Sequence, residues 1–343
     1  MANLRVNTIS GIGSDGVTFE GVTKIKTQNY FYLATGTTEN RFPNFAGVDA
    51  ASARGVFAGA EVPGGVSNVI DFITIATLGN ASNFGNLTES KRFPTATSSP
   101  TRGVWGGGST PGATNVIEYV TISTTGNAQD FGDLVVQSAN DRQGACSNST
   151  RGLYAGNGSY SNAIQYITIS TIGNSNDFGD LITGRFGLAS FASPTRGIFA
   201  GGNSPGGLSS AIEYVTISST GNTVSFGNIS MGGIREPCGC SSQTRGVFGS
   251  GYTPTSTNVL EYLTIASTGN STDFGDLTQA RVEVYGSTSN SLRGVWAGGQ
   301  APGLVNTIDY ITIASTGNAQ DFGDLTSVRN GTGACSNGHG GLG

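Results

Sequence analysis

Six copies of one unit dominate this chain and constrain it more than any other feature. Each copy opens with Arg-Gly and then an apolar and an aromatic or apolar residue, at Arg54, Arg102, Arg151, Arg196, Arg245 and Arg293, so that successive copies start 45 to 49 residues apart. A period of that length marks a supersecondary unit that buries its apolar faces against its neighbours. The order inside the unit is constant. A short apolar run ending in small residues, such as Arg102-Gly103-Val104-Trp105-Gly106, comes first. A Pro/Gly/Asn loop leads to a longer run, Val116-Ile117-Glu118-Tyr119-Val120-Thr121-Ile122, then a turn and Gln129-Asp130-Phe131-Gly132-Asp133-Leu134. A segment of small residues, Gly144-Ala145-Cys146-Ser147, closes the unit.

The runs are β-branched and aromatic and are bounded by Asn and Gly, which reads as strands. The Gly-Asn pairs at 79-80, 126-127, 173-174, 221-222, 269-270 and 317-318 supply positive-φ positions for tight turns. Composition agrees. The chain has 55 Gly in 343 residues, 11% charged residues and three Lys (Lys24, Lys26, Lys91), so strong helix formers are scarce. Helical bundles, coiled coils and helical solenoids are excluded, while 36% hydrophobic residues suffice for a core rather than a disordered chain. Small residues in the closing segment suit strands that converge on an axis, where space per side chain shrinks. The expected fold is therefore an all-β propeller of four-stranded blades. The small-residue strand recurs seven times, first near Phe45, and the other three types six times. Six blades are favoured, with the carboxy-terminal strand completing the first. The alternative is a partial seventh blade built from residues 17–40.

The repeat resembles the kelch family of propellers over residues 45–343. The resemblance rests on the Gly pairs Gly107-Gly108, Gly201-Gly202 and Gly298-Gly299, on the Glu-Tyr or Asp-Tyr in the next strand, and on Phe131, Phe178, Phe226, Phe274 and Phe322. It also includes an Arg before the small-residue strand: Arg142, Arg185, Arg235, Arg281 and Arg329. Phe stands where that family usually has Trp, so the resemblance implies architecture and no single kelch function. The wording of Thr316–Leu325, with Cys335-Ser336-Asn337-Gly338-His339-Gly340-Gly341-Leu342, is also similar to virion structural proteins of marine tailed bacteriophages.

Chemistry finds little footing. The single His, His339, takes the place of Thr150 or Thr195 in other repeats and reads as a hairpin-tip residue, and propeller metal enzymes need several His ligands. There is no phosphate-cradling Gly-Lys-Ser/Thr ending, and Asp273-Phe274-Gly275 lacks every companion of the kinase triplet it echoes. The pairs Asp130/Asp133, Asp177/Asp180, Asp273/Asp276 and Asp321/Asp324 recur in most units, which favours carboxylates capping their own turns over Ca²⁺ ligands. The repeated Arg of Arg-Gly reads likewise as a blade-building residue. Cys146, Cys238, Cys240 and Cys335 form no CxxC pair and read as free thiols of a protein made in a reducing cytosol. A net charge of −5 without charge runs offers nothing to nucleic acid, and no apolar stretch is long enough to span a bilayer or act as a secretory signal.

No catalytic, cofactor-binding or metal-binding residue is therefore expected, and no cofactor. Residues 1–44 lack the repeat and read as a docking arm toward other virion proteins, ahead of the propeller at 45–343. The expected role is a non-enzymatic virion component: a fibre, tail appendage or capsid-surface protein made in the host cytoplasm. Its variable loops Glu61–Ser67, Ser109–Thr114, Ser204–Ser209 and Tyr252–Thr257 would meet a host surface glycan, with homo-oligomers in view by analogy with phage appendages. The alternatives are a soluble kelch-type scaffold, or a glycan-cleaving propeller with carboxylates clustered at the channel mouth.

Overall fold

The computed structural model describes residues 52–135 and 142–342. It is all-β: six antiparallel four-stranded sheets whose innermost strands contact one another in a closed ring, a β-propeller of six blades. The arm expected over residues 1–44 and the segment near Phe45 lie outside the described residues. Blades are numbered by their Arg-Gly strand, from Arg54 in blade one to Arg293 in blade six. Within a blade the small-residue strand is innermost, the Arg-Gly strand second, the Glu-Tyr strand third and the Phe-Gly strand outermost. Blade three shows the order as Gly144–Ser147, Arg151–Ala155, Ala163–Thr168 and Asn176–Asp180.

The first and last repeats share a sheet. Gly333–Ser336 is the innermost strand of blade one and pairs antiparallel with Arg54–Val62, Gly55 opposite Ser336 and Ala58 opposite Gly333. This settles the strand count in favour of six blades. The closure reproduces even the hairpin cap. The backbone N–H of each Arg-Gly arginine donates to a polar side chain three residues earlier, as Arg293 does to Asn290 Oδ1 at 2.7 Å; Arg54 finds the same partner in Asn337 at 2.8 Å, across 283 residues of chain.

Neighbouring blades are stitched by three devices, each repeated around the ring. First, the Arg of Arg-Gly stacks on an aromatic of its own third strand and donates to the next blade, as Arg102 does over Tyr119 (4.6 Å) and to the Ile169 carbonyl (3.0 Å). Second, the Gly-Asn pairs work between blades rather than within a turn. Gly126 and Ala128 donate to the Phe84 and Asn86 carbonyls at 2.8 Å, and Asn86 N–H donates to Asn127 Oδ1 at 3.0 Å. Each outermost strand thus has its open edge covered by the next blade, which removes a site for stray strand pairing. The recurring Asp pairs stand on these outermost strands, exposed or half-buried, and do not cap turns; the capping side chain is the Asn of the following blade.

Third, the middle residue of each innermost strand points into the next blade, where only a glycine leaves room. Thr97, Cys146, Phe191, Cys240, Thr288 and Cys335 press on the glycine of the following Arg-Gly. All four thiols are free and buried, and burial pushes Cys146, Cys238 and Cys335 up to about 12. The tightest notch is at Gly246, where a Cβ would lie 1.9 Å from the Phe191 ring. Gly246→Ala is expected to cost about 2–3 kcal/mol, the upper part of the range for overpacked cores. In urea unfolding Phe191→Ala/Gly246→Ala should lose clearly less than the sum of the two single changes. Additive losses would show that the two do not meet.

The channel is lined by the remaining small side chains. Serines at one equivalent position pass hydroxyl donors to the preceding blade's carbonyl: Ser147 to Ser98 (2.9 Å), Ser98 to Ser336 (2.7 Å), Ser289 to Ser241 (2.8 Å) and Ser241 to Ala192 (2.7 Å). Ala192 breaks the series and leaves the Ser147 carbonyl uncovered. There the tail docks: Gly341 lies so close that a Cβ would fall 1.9 Å from that oxygen, and Leu342 is buried. His339 is consequently not at a hairpin tip. It lies on the segment that closes this end of the channel, with Nε2 3.3 Å from Ser147 Oγ and Nδ1 accepting from Gly341 N–H at 3.1 Å.

Enclosure lowers His339 to about 4, against the opposing pull of the Ser98 carbonyl. An undocked ring titrates near 6.5. The docked tail is therefore at full strength above about pH 6.5 and weakens as pH falls toward 4. Amide exchange across 336–342, corrected for intrinsic rates, should rise several-fold between pH 7 and 4.5, and His339→Gln should abolish that rise. A wild-type profile already flat would show that the ring is not held neutral.

Candidate functional site

At the opposite end of the channel the side chains differ most from blade to blade. Each connector from an outermost strand to the next innermost strand carries a residue in the left-handed region near φ 60°: Phe93 (φ 56°), Arg142 (64°), Gly187 (65°), Glu236 (59°), Glu283 (54°) and Gly331 (64°), with Gly232 (98°) and Tyr285 (37°) as additional positive-φ positions in two of them. Their main chains form a girdle around the opening. Phe93 N–H donates to Gly331 O (2.7 Å), Gly331 to Glu283 (3.0 Å), Gly187 to Arg142 (2.7 Å) and Glu236 to Gly187 (2.9 Å). Glycine is the natural occupant of such a position. Four of the six carry side chains instead, each at a cost of about 1–2 kcal/mol, and strain of that kind gathers where a site needs it.

Those side chains meet over the opening. Arg142 of blade three donates through Nη1 to Glu236 of blade five (2.9 Å) and through Nη2 to Glu283 of blade six (3.1 Å). Its guanidinium lies 4.6 Å from the ring centre of Phe93 in the connector entering blade two. Arg142 therefore spans the mouth. Tyr285, an extra residue in the connector entering blade six, packs edge-on against Phe93 at 5.4 Å, and Asn330 Nδ2 donates to Glu283 Oε2. Arg92 pairs with Glu61 at 2.5 Å on the rim. Burial and the neighbouring Glu236 hold the Glu283 carboxyl above the usual range, with Arg142 pulling it back.

The hairpins between second and third strands surround this mouth. Bridges of Glu61 to Asn330, Arg92 to Ser109, Phe186 to Asn203, Arg235 to Tyr252 and Val282 to Gln300 place five of the six hairpins, all but that of blade three, beside a connector residue adjoining the girdle. The four variable loops singled out from sequence thus stand around one opening. The connector arginines, by contrast, are not equivalent. Arg185, Arg281 and Arg329 are buried against the third-strand acids Glu213, Asp309 and Asp71 at 2.7–2.8 Å, and Lys91 does the same with Glu118 at 2.6 Å. Arg235 stacks on Tyr252, and Arg142 alone crosses the channel. Sequence reasoning grouped these residues and missed the cluster. Counting back from each innermost strand would have found it, since Phe93, Arg142, Gly187, Glu236 and Gly331 all stand two residues before one.

Beneath the mouth a narrow cavity is lined by Thr95, Gln143, Ser190, Cys238, Tyr285 and Ser287 among others. Gln143 Oε1 and Ser190 Oγ are buried there without a hydrogen-bond partner. Among the described residues, no group of three or more His, Cys, Asp or Glu is placed to hold a metal ion, and no helix is long and apolar enough to cross a membrane. No protein-family model matches the chain, and no curated protein matches it. The fold and the mouth define a six-bladed β-propeller with one asymmetric face.

Proposed function

We propose that this chain is a non-enzymatic recognition module of a virion, a propeller that displays its asymmetric mouth from a fibre, tail appendage or capsid surface. The observation that supports recognition is the concentration of differing charged and aromatic side chains at the mouth. Stitches, notches and covered edges repeat from blade to blade, whereas strained, charged and aromatic side chains are gathered at one channel end. A rigid ring that varies at one face is suited to presenting a binding surface. The virion setting is supported by the resemblance of the repeat wording to tailed-phage structural proteins, with residues 1–44 as the docking arm and a host surface glycan as the ligand. Mass spectrometry of gradient-purified particles from the source tests the setting. Stoichiometric recovery is the expected result, and the copy number separates capsid decoration from a few tail appendages. Absence from clean particles overturns the virion role in favour of a soluble kelch-like scaffold.

A second reading, a glycan-cleaving enzyme, is favoured by one observation: Glu236 and Glu283 share the mouth, and one of them is held above the usual carboxylate range. Against it, both carboxylates are committed to Arg142, and Glu283 also to Asn330. Release of reducing ends from cell-surface polysaccharide, lost in Glu283→Gln, would establish that reading instead.

A further inference from the structure

We infer that the mouth spanned by Arg142 is itself the glycan subsite, and that it selects an uncharged saccharide. The inference rests on the recognition role proposed above and moves the contact from the hairpin loops to the girdle between them. Three observations carry it.

The first is the balance of the cluster. Glu61, Glu236 and Glu283 alternate with Arg92 and Arg142, each acid lying within hydrogen-bond distance of a guanidinium. A bare anion approaching it meets three carboxylates, and a bare cation meets two guanidiniums. A hydroxyl group is both donor and acceptor, so it can give its proton to a carboxylate oxygen and accept from an arginine N–H at the same place. A polyhydroxylated, uncharged ring fits such a mixed array better than any ion.

The second is the unsatisfied polar lining. Gln143 is 3% exposed, follows Arg142 directly and lines the cavity beneath it, yet its Oε1 has no partner; Ser190 Oγ on the same wall also lacks one. A buried acceptor left in that state is destabilising, and a ligand hydroxyl reaching below the girdle satisfies it. The third is access. The side chains of Arg142 and Glu283 retain 28% and 19% exposure, and Tyr285 is half-buried beside them, so the polar edge of the cluster faces solvent.

The test uses the full chain on immobilised cellohexaose, maltohexaose, chitohexaose and mannan oligosaccharide as neutral probes, with sialyllactose and a heparin hexasaccharide as anionic ones. The expected result is binding to at least one neutral probe, weakened tenfold or more by Arg142→Ala and by Glu283→Ala in variants that retain the wild-type melting transition. If either variant fails to fold, amide exchange on the wild-type protein with the bound neutral probe decides, with protection expected at 142–145 and 283–287. Neutral binding that survives both variants, or protection confined to 252–257 and the other hairpins, overturns the mouth as the site and leaves glycan recognition standing. Preference for the anionic probes overturns the selection argued here. Binding to no saccharide overturns both this inference and the glycan part of the proposed function.

Discussion

A chain cut after Thr332 is expected to lose cooperative unfolding altogether. The eleven residues removed include the innermost strand of blade one, and that strand has more partners than its length suggests. It pairs with Arg54–Val62 along four residues. The Gly333 carbonyl accepts from Trp105 Nε1 at 3.1 Å, Cys335 fills the notch at Gly103, and Ser336 links blades two and six through hydroxyl and carbonyl bonds. Asn337 caps the Arg54 backbone. Without it blade one keeps three strands, and the Trp105 edge and the Val56 side of blade one face water. Each uncovered large side chain forfeits about 1.5–3 kcal/mol, against a total stability of order 5–15 kcal/mol for a domain. Circular dichroism on heating should show a broad, non-cooperative change, accompanied by dye binding at low temperature. Ser336→Ala in the full chain should cost only about 1 kcal/mol. A truncated chain that still melts sharply near the full-length midpoint would mean that another segment closes the ring, and the small-residue stretch near Phe45 would be the first to examine.

The second large effect concerns the buried pair of Arg281 and Asp309. Both side chains are fully buried and meet at 2.7 Å. Arg281 also donates to the Thr307 carbonyl at 2.9 Å, and Asp309 accepts from Thr278 Oγ1 at 2.7 Å. Burial lowers the Arg281 guanidinium from its ordinary value and raises the Asp309 carboxyl, each opposed by its partner. Removing one partner leaves an uncompensated charge in the interior. Arg281→Ala is expected to lose about 3–5 kcal/mol in urea unfolding, whereas replacing both residues with apolar ones of similar volume should come close to wild type. If the double variant Arg281→Met/Asp309→Leu falls as far as the single one, the pair supplies more than mutual neutralisation. Arg142 differs in that its own guanidinium is 28% exposed, although Glu236, one of its two partners, is itself buried.

The architecture was legible because the repeat states it six times. Strand order follows from the constant order within the unit, but the small-residue segment recurring once more than the others left a partial seventh blade open, and the pairing of Gly333–Ser336 with Arg54–Val62 decides for six. What each motif does was less legible. The Gly-Asn pair looks like a turn because its local chemistry is that of a turn, yet its hydrogen bonds run to the blade before it, and partners about forty residues away leave no mark in local sequence. The mouth was hidden for a different reason. Its left-handed positions are usually announced by glycine, and only Gly187 and Gly331 make the announcement; Phe93, Arg142, Glu236 and Glu283 conceal the same backbone. Variation in connector sequence and the inserted Tyr285 then let Arg142 pass for an equivalent of Arg185. Tail docking was invisible because the uncovered carbonyl at Ser147 results from an absence, the missing hydroxyl of Ala192 in the neighbouring blade.

The closure between Arg54 and Ser336 also sets a timetable. A ribosome delivers Arg54 almost three hundred residues before it delivers the strand that completes the same sheet. Blades two to six each receive all four of their strands consecutively and have local partners as soon as they emerge. Blade one waits with an open inner edge until Gly333–Ser336 emerges. Loops that long close slowly, and exposed strand edges are what nascent chains aggregate through. The propeller is therefore most vulnerable at blade one, and a stall before Gly333–Ser336 emerges would leave a nearly finished ring that cannot lock.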